Sequence, residues 1–206
     1  MWDLAFFQRP YSNKQISKLA ACQNIPSPVT TWVDYDDNLL EVPEDNPGGV
    51  IYTNKETRNA VINCIKYAKL LTVSTQQLAD QLQKYRIPGS RKIKVIKNYM
   101  PLDISPAGPP TRTDKFRIFW RGSQTHDADW DFHLQDIVEW AKNKNAELVT
   151  VGYIPHHVVR TFRENGMNVV KYPIMEMMDY MLLMASGNLA DVGVYPLVNN
   201  EFNQAK

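Results

Sequence analysis

Apolar positions along the chain follow two spacings. Short runs rich in branched and aromatic residues predict buried strands at 29–33, 70–73, 116–120, 147–151, 167–170 and 190–194, with an alternating run at 92–96. Residues 4–7 read as a strand remnant, stopped by Arg9-Pro10. Helical stripes fall between these runs. They are Ile16, Leu19 and Ala20; Val61, Ile65 and Ala68; Leu78, Leu82 and Tyr85; and Trp130, Leu134, Ile137, Val138 and Ala141. A short helix at 155–164 is stopped by Asn165-Gly166, and Met175, Met178, Leu182 and Ala185 make a last stripe, with the methionines as core filler. Thr53-x-x-Glu56 and Ser74-x-x-Gln77 have capping-box spacing, and Asp127 or Asp129 can cap the helix that carries Trp130.

Strands that alternate with helices predict parallel sheets joined by right-handed crossovers. The alternation is interrupted once. Residues 101–114 contain Pro101, Pro106, Pro109 and Pro110 and almost no apolar side chain, which predicts a linker. The expected fold class is therefore α/β, with two Rossmann-like doubly wound parallel-sheet units, at 1–100 and 115–206. A chain of 206 residues is long enough for two small cores.

Composition narrows the function only by exclusion. A formal net charge of +1 gives no general field to recruit nucleic acid or anionic lipid. The one basic concentration, 84–97 with Arg86, Arg91, Lys92 and Lys94, reads as a solvated edge. Cys22 and Cys64 have no metal-ligand spacing and read as buried free thiols in a reducing compartment. No apolar run approaches a membrane span and no signal-peptide pattern opens the chain, so a cytoplasmic location is expected.

Two places carry candidate chemistry. Gly122-Ser123 lies between a strand and a helix, where free backbone N–H groups and close approach favour a phosphate. His126 follows within reach of such a group. The second place is Asp34, Asp36 and Asp37, directly after the strand at 29–33. They are available as a general base or as ligands, or else as a loop whose carboxylates bond nearby N–H groups. Carboxylates packed this closely raise one another's pKa unless something compensates. A receiver-like phosphoacceptor domain is a further reading of these aspartates, but it would be a single unit. His133, His156 and His157 show no metal spacing, and no metal is expected.

Several segments resemble glycosyltransferases of the two-Rossmann (GT-B) type, in the family-4-like group found in phage and bacterial genomes. They are Val33-Asp-Tyr-Asp-Asp37 with Pro43 and Asn46-Pro47, the run from Ala68 to Thr75 with Leu78-Ala79, Lys94-Val-Ile-Lys-Asn98, Trp120-Arg-Gly-Ser with Thr125-His126, and Pro196-Leu197 with Phe202-Asn203 and Lys206. The resemblance implies a partial acceptor-side domain at 1–100, incomplete at its N-terminal side, and a donor-binding domain at 115–206 that is cut short. It implies a nucleotide-sugar donor, an unknown acceptor and no metal or other cofactor. Gly122, Ser123 and His126 would meet the diphosphate. Tyr172 to Ile174 would face the base. Glu201, Phe202 and Asn203 would meet sugar and ribose, Lys206 would offset phosphate charge, and Asp34, Asp36 or Asp37 would act on the acceptor. The alternative is a non-catalytic nucleotide-binding module that associates with a partner chain or with its own copies.

Overall fold

The structure is a computed structural model that describes residues 3–99, 115–186 and 189–206. The chain forms two compact α/β units, Met1–Tyr99 with Asn199–Lys206, and Met100–Val198. The expected linker at 101–114 lies outside the described residues. The segment Asn199–Lys206, expected in the second unit, belongs to the first.

In the first unit β1 (Leu4–Gln8), β2 (Thr30–Tyr35), β3 (Leu70–Val73) and β4 (Lys94–Val95) pair in parallel in the order β1-β2-β3-β4. Strands taken in sequential order put their right-handed crossovers on one face. That face holds the core: Val33, Tyr35, Leu71 and Val73 from the strands pack against Leu19 of α1 (Asn13–Gln23), Val61, Cys64 and Ile65 of α3 (Lys55–Tyr67), and Leu78 and Leu82 of α4 (Gln76–Gln83). A one-turn helix α2 (Val50–Thr53) precedes α3. The other face leaves Leu4 and Phe6 exposed, with the Phe6 ring edge-on to Trp32.

Both capping boxes sit one residue away from the observed caps. Asn54, not Thr53, caps α3 by accepting from Glu56 N–H at 2.8 Å, and Thr75, not Ser74, caps α4 by accepting from Leu78 N–H at 3.1 Å. In each pair of neighbours the residue with extended backbone aims its oxygen at the free N–H groups of the first turn.

In the second unit β5 (Phe116–Gly122), β6 (Ala146–Gly152), β7 (Val169–Tyr172) and β8 (Val192–Gly193) pair in parallel in the order β7-β6-β5-β8. The chain steps outward from β5 to β7, then returns to the other side of β5. That reversal is a topological switch point, which leaves a crevice at the carboxyl ends of the strands. Ile118 and Trp120 of β5 pack with Trp130, Leu134 and Val138 of α5 (Asp127–Asn143) and Val158 and Phe162 of α6 (His156–Glu164).

The methionine-bearing helix departs from expectation. In α7 (Met177–Ala185) no residue is buried, and Met177 and Met178 are 58% and 64% exposed. Met, Leu and Ala occur all round this helix, so its spacing could not say which side would be covered.

Candidate functional site

Built from the second unit, the crevice at the switch point is an open pocket of about 740 Å³. Its floor is the strand ends: Gly122, Gly152 and Gly193, which close β5, β6 and β8, with Ser123 and Val194 just beyond. Arg121, His126, Ile174, Met175, Tyr180 and Tyr195 form much of the wall.

Glycine is required at two of these places for different reasons. Gly152 has φ +82, the left-handed region that L side chains rarely adopt. Gly122 leaves room for the Trp120 ring, whose Cε2 atom would lie 2.7 Å from an added Cβ. The indole is anchored in turn: its Nε1 donates to Tyr153 O at 3.1 Å, and its rings lie edge-on to Trp130 and His126 and stacked with Tyr195. The turn is therefore seated on an aromatic cluster. This also explains why the apolar run before it ends in tryptophan.

His126 is held, not loose. A 3-10 turn, Gln124–His126, joins β5 to α5 and brings the His126 Nδ1 within 2.8 Å of an Asp129 carboxylate oxygen, while Nε2 lies 3.5 Å from the Tyr195 hydroxyl. The other Asp129 oxygen accepts from Val198 N–H at 2.8 Å. Asp129 and Asp127 both occupy the first turn of α5, so the positive end of that helix already faces two carboxylates. An anion at this turn gains less from the helix dipole than the strand-turn-helix pattern alone promises. Arg121, next to last in β5, brings a cation to the same pocket, and its guanidinium lies 4.6 Å from the centre of the Tyr180 ring. Strand periodicity assigned Arg121 no role. Its place beside a glycine at a strand end was the available signal.

Of the residues expected at the donor, Gly122, Ser123, His126 and Ile174 line this pocket together. Tyr172 ends β7 and is not among the lining residues. Glu201, Phe202, Asn203 and Lys206 belong to the first unit. There Phe202 is buried, Asn200 caps the short helix α8 (Glu201–Gln204) by accepting from Asn203 N–H at 2.8 Å, and Gln81 donates to Glu201 O at 3.0 Å.

The acidic cluster lies at the carboxyl end of β2 in the first unit, and its three members are not equivalent. Asp34 accepts from the Thr72 hydroxyl, and that Thr72 oxygen itself accepts from Trp32 Nε1 at 2.8 Å. Asp36 and Asp37 share one cation: Arg9 Nε lies 3.2 Å from Asp36 and a terminal nitrogen of Arg9 lies 3.1 Å from Asp37. Arg9 supplies the compensation that the crowding of these carboxylates demands. Asp36 and Asp37 also border a second pocket, of about 610 Å³, with Ser74, Thr75, Lys97, Asn98 and Lys206. Among the described residues no group of three or more His, Cys, Asp or Glu side chains is placed to hold a metal ion, and no helix is long and apolar enough to cross a membrane.

No protein-family model matches the chain, and no curated protein matches it by sequence. Solved structures do match in fold. TarM aligns with a TM-score of 0.54 and 11% identity over 86% of this chain and 34% of its own. An S. aureus TarM variant in complex with Fondaparinux, alpha-GlcNAc-glycerol and UDP aligns with a TM-score of 0.50 and 11% identity, over 78% of this chain and 32% of its own. The GtfA/B complex aligns with a TM-score of 0.51 and 11% identity, over 84% of this chain and 35% of that one. The chain thus spans about a third of the length of each. The shared property is the fold: two parallel four-stranded sheets flanked by helices, of GT-B type.

Proposed function

We propose that the chain carries sugar-transfer machinery of the GT-B type, with a nucleotide-sugar as donor. The observation that carries this reading is the second unit's pocket, where a glycine-bearing turn, a second glycine in register and the Arg121 guanidinium converge at a strand-order reversal. The backbone N–H groups after Gly122 would meet the diphosphate, Arg121 would offset its charge, and Ile174 and Met175 would supply apolar wall for the nucleoside. Departure of a nucleoside diphosphate is assisted by preorganised dipoles and cations at the oxygen where charge develops. No metal enters this reading. We assign the acceptor to the first unit's pocket beside Asp36 and Asp37, with Lys206 as a neighbouring cation. Glu201 and Asn203 are not needed for nucleotide capture here.

The test is calorimetric titration with UDP, followed by other nucleoside diphosphates, of the parent and of Arg121→Ala. The nucleotide named with the TarM variant makes UDP the first choice. Removing one charge-assisted contact is expected to weaken binding about tenfold, or about 1.4 kcal/mol. A parent that binds none of these nucleotides, or an Arg121→Ala protein that binds as tightly as the parent, would overturn the assignment.

A further inference from the structure

The first unit has a second concavity, at the end of its sheet opposite Asp36 and Asp37. It measures about 630 Å³ and lies where β2 and β3 begin, bordered by the carboxyl end of α3 and the turn after α4. Its lining includes Lys66, Lys69, Arg86 and Arg91, and no Asp or Glu. None of these four cations takes part in the ion pairs of the described residues. Like charges gathered without counter-charge repel one another, and an anion among them relieves that repulsion.

Arg86 is the least ordinary of the four. It falls within the stretch whose composition reads as a solvated edge, yet it is 7% exposed. One terminal nitrogen donates to Ile65 O at 2.6 Å and to Ala68 O at 2.9 Å, at the carboxyl end of α3. Those carbonyls, at the negative end of the α3 dipole, orient the guanidinium and offset part of its charge without supplying a full counter-ion. Its Nε is buried with no hydrogen-bond partner, and so is the hydroxyl oxygen of Ser90, which lines the same concavity. The other terminal nitrogen of Arg86 lies 3.5 Å from Arg91 O, so backbone carbonyls hold its fork and Arg86 forms the charged floor of the hollow. Lys66 Nζ lies 5.3 Å from the centre of the Tyr67 ring, which holds that ammonium at the rim.

We propose that this concavity is an anion site for a phosphoryl or pyrophosphoryl group, separate from the nucleotide pocket of the second unit. The exposed Arg91 guanidinium with the exposed Lys66 and Lys69 ammonium groups suits a compact, multiply charged oxyanion better than a single carboxylate. The group is carried either by a free small molecule or by a lipid headgroup, and the two sources are separated by experiment.

Inorganic pyrophosphate is the probe for the free form. It is titrated into the Arg121→Ala protein, so that the second unit's pocket contributes less, and into the same protein with Lys69→Gln and Arg91→Gln added. Both of these side chains are exposed, and neither makes an ion pair among the described residues. Saturable binding is expected in the first protein and at least a tenfold loss in the second, taking about tenfold for each charge-assisted contact. Sedimentation with phosphatidylglycerol vesicles, against phosphatidylcholine vesicles, tests the lipid source with the same two proteins. Loss of phosphatidylglycerol binding on adding Lys69→Gln and Arg91→Gln assigns the site to a headgroup, and loss of pyrophosphate binding assigns it to a free ligand. Absence of both kinds of binding, or binding that Lys69→Gln and Arg91→Gln leave unchanged, overturns the proposal.

Discussion

Gly122 and Gly152 stand opposite each other at the carboxyl ends of β5 and β6, the last pair in the register of these two strands. An added Cβ at Gly152 would sit in left-handed backbone and 3.1 Å from Gly122 O, while one at Gly122 would run into the Trp120 ring. Gly122→Ala and Gly152→Ala are each expected to lower stability by about 1–3 kcal/mol. Urea unfolding followed by tryptophan fluorescence measures this. A Gly122→Ala protein with the parental midpoint would show that the Trp120 ring moves aside freely. Loss of nucleotide binding in a Gly122 variant therefore has two causes, an unseated turn and a blocked ligand. Arg121→Ala separates them.

Chelation is expected to leave nucleotide affinity unchanged, since Arg121 and backbone N–H groups carry the charge in the proposed site. Titration of UDP with and without EDTA is the check. A stoichiometric metal retained by the purified protein, or a loss of affinity on chelation, would contradict it.

Peroxide should sort the methionines by exposure. Met177 and Met178 of α7 are open to solvent, whereas Met167 is 7% exposed in the second unit's core. Peptide mass spectrometry after brief oxidation should find sulfoxide at Met177 and Met178 well before Met167. Equal rates would mean that α7 is covered in solution.

Alkaline pH should destabilise the first unit. Burial pushes the Cys64 thiol up to about 12 from 9.0, and burial, then the neighbouring Cys64, raises the Tyr35 hydroxyl well above 10.0. Both groups are neutral when protonated, and the fold holds their protons more tightly than the unfolded chain does. Between about pH 9 and 12 the unfolded thiol has lost its proton and the folded one has not, so stability falls with rising pH by up to about 1.4 kcal/mol per unit for Cys64 alone. Below pH 9 this contribution is fully present. Urea midpoints measured from pH 7 to 11 for parent and Cys64→Ala should diverge in slope above pH 9. Parallel slopes would refute the assignment.

Much of this architecture was legible in local pattern. Strands at 70–73 and 116–120 and the helix carrying Trp130, Leu134 and Val138 follow from side-chain period alone, because one face of each must be apolar to be buried. Gly122-Ser123 was legible too, as a turn where a strand gives way to a helix. Caps were legible to within a residue: Thr53 and Asn54, or Ser74 and Thr75, are all competent cap residues, and only backbone dihedrals choose between neighbours.

What tertiary structure decided were the matters of partnership. Composition places Arg86 among solvated cations, but the fold turns it inward onto the α3 carbonyls. Residues of α7 are apolar on every side, so burial depended on whether a neighbour arrived. Asn199–Lys206 carries no mark of the unit it joins. Arg9 is far from Asp36 and Asp37 in sequence, and only the parallel pairing of β1 with β2 brings that cation to them. Side-chain period is written into neighbouring residues, whereas a partner supplied by a distant strand is set by sheet register, which no local pattern contains.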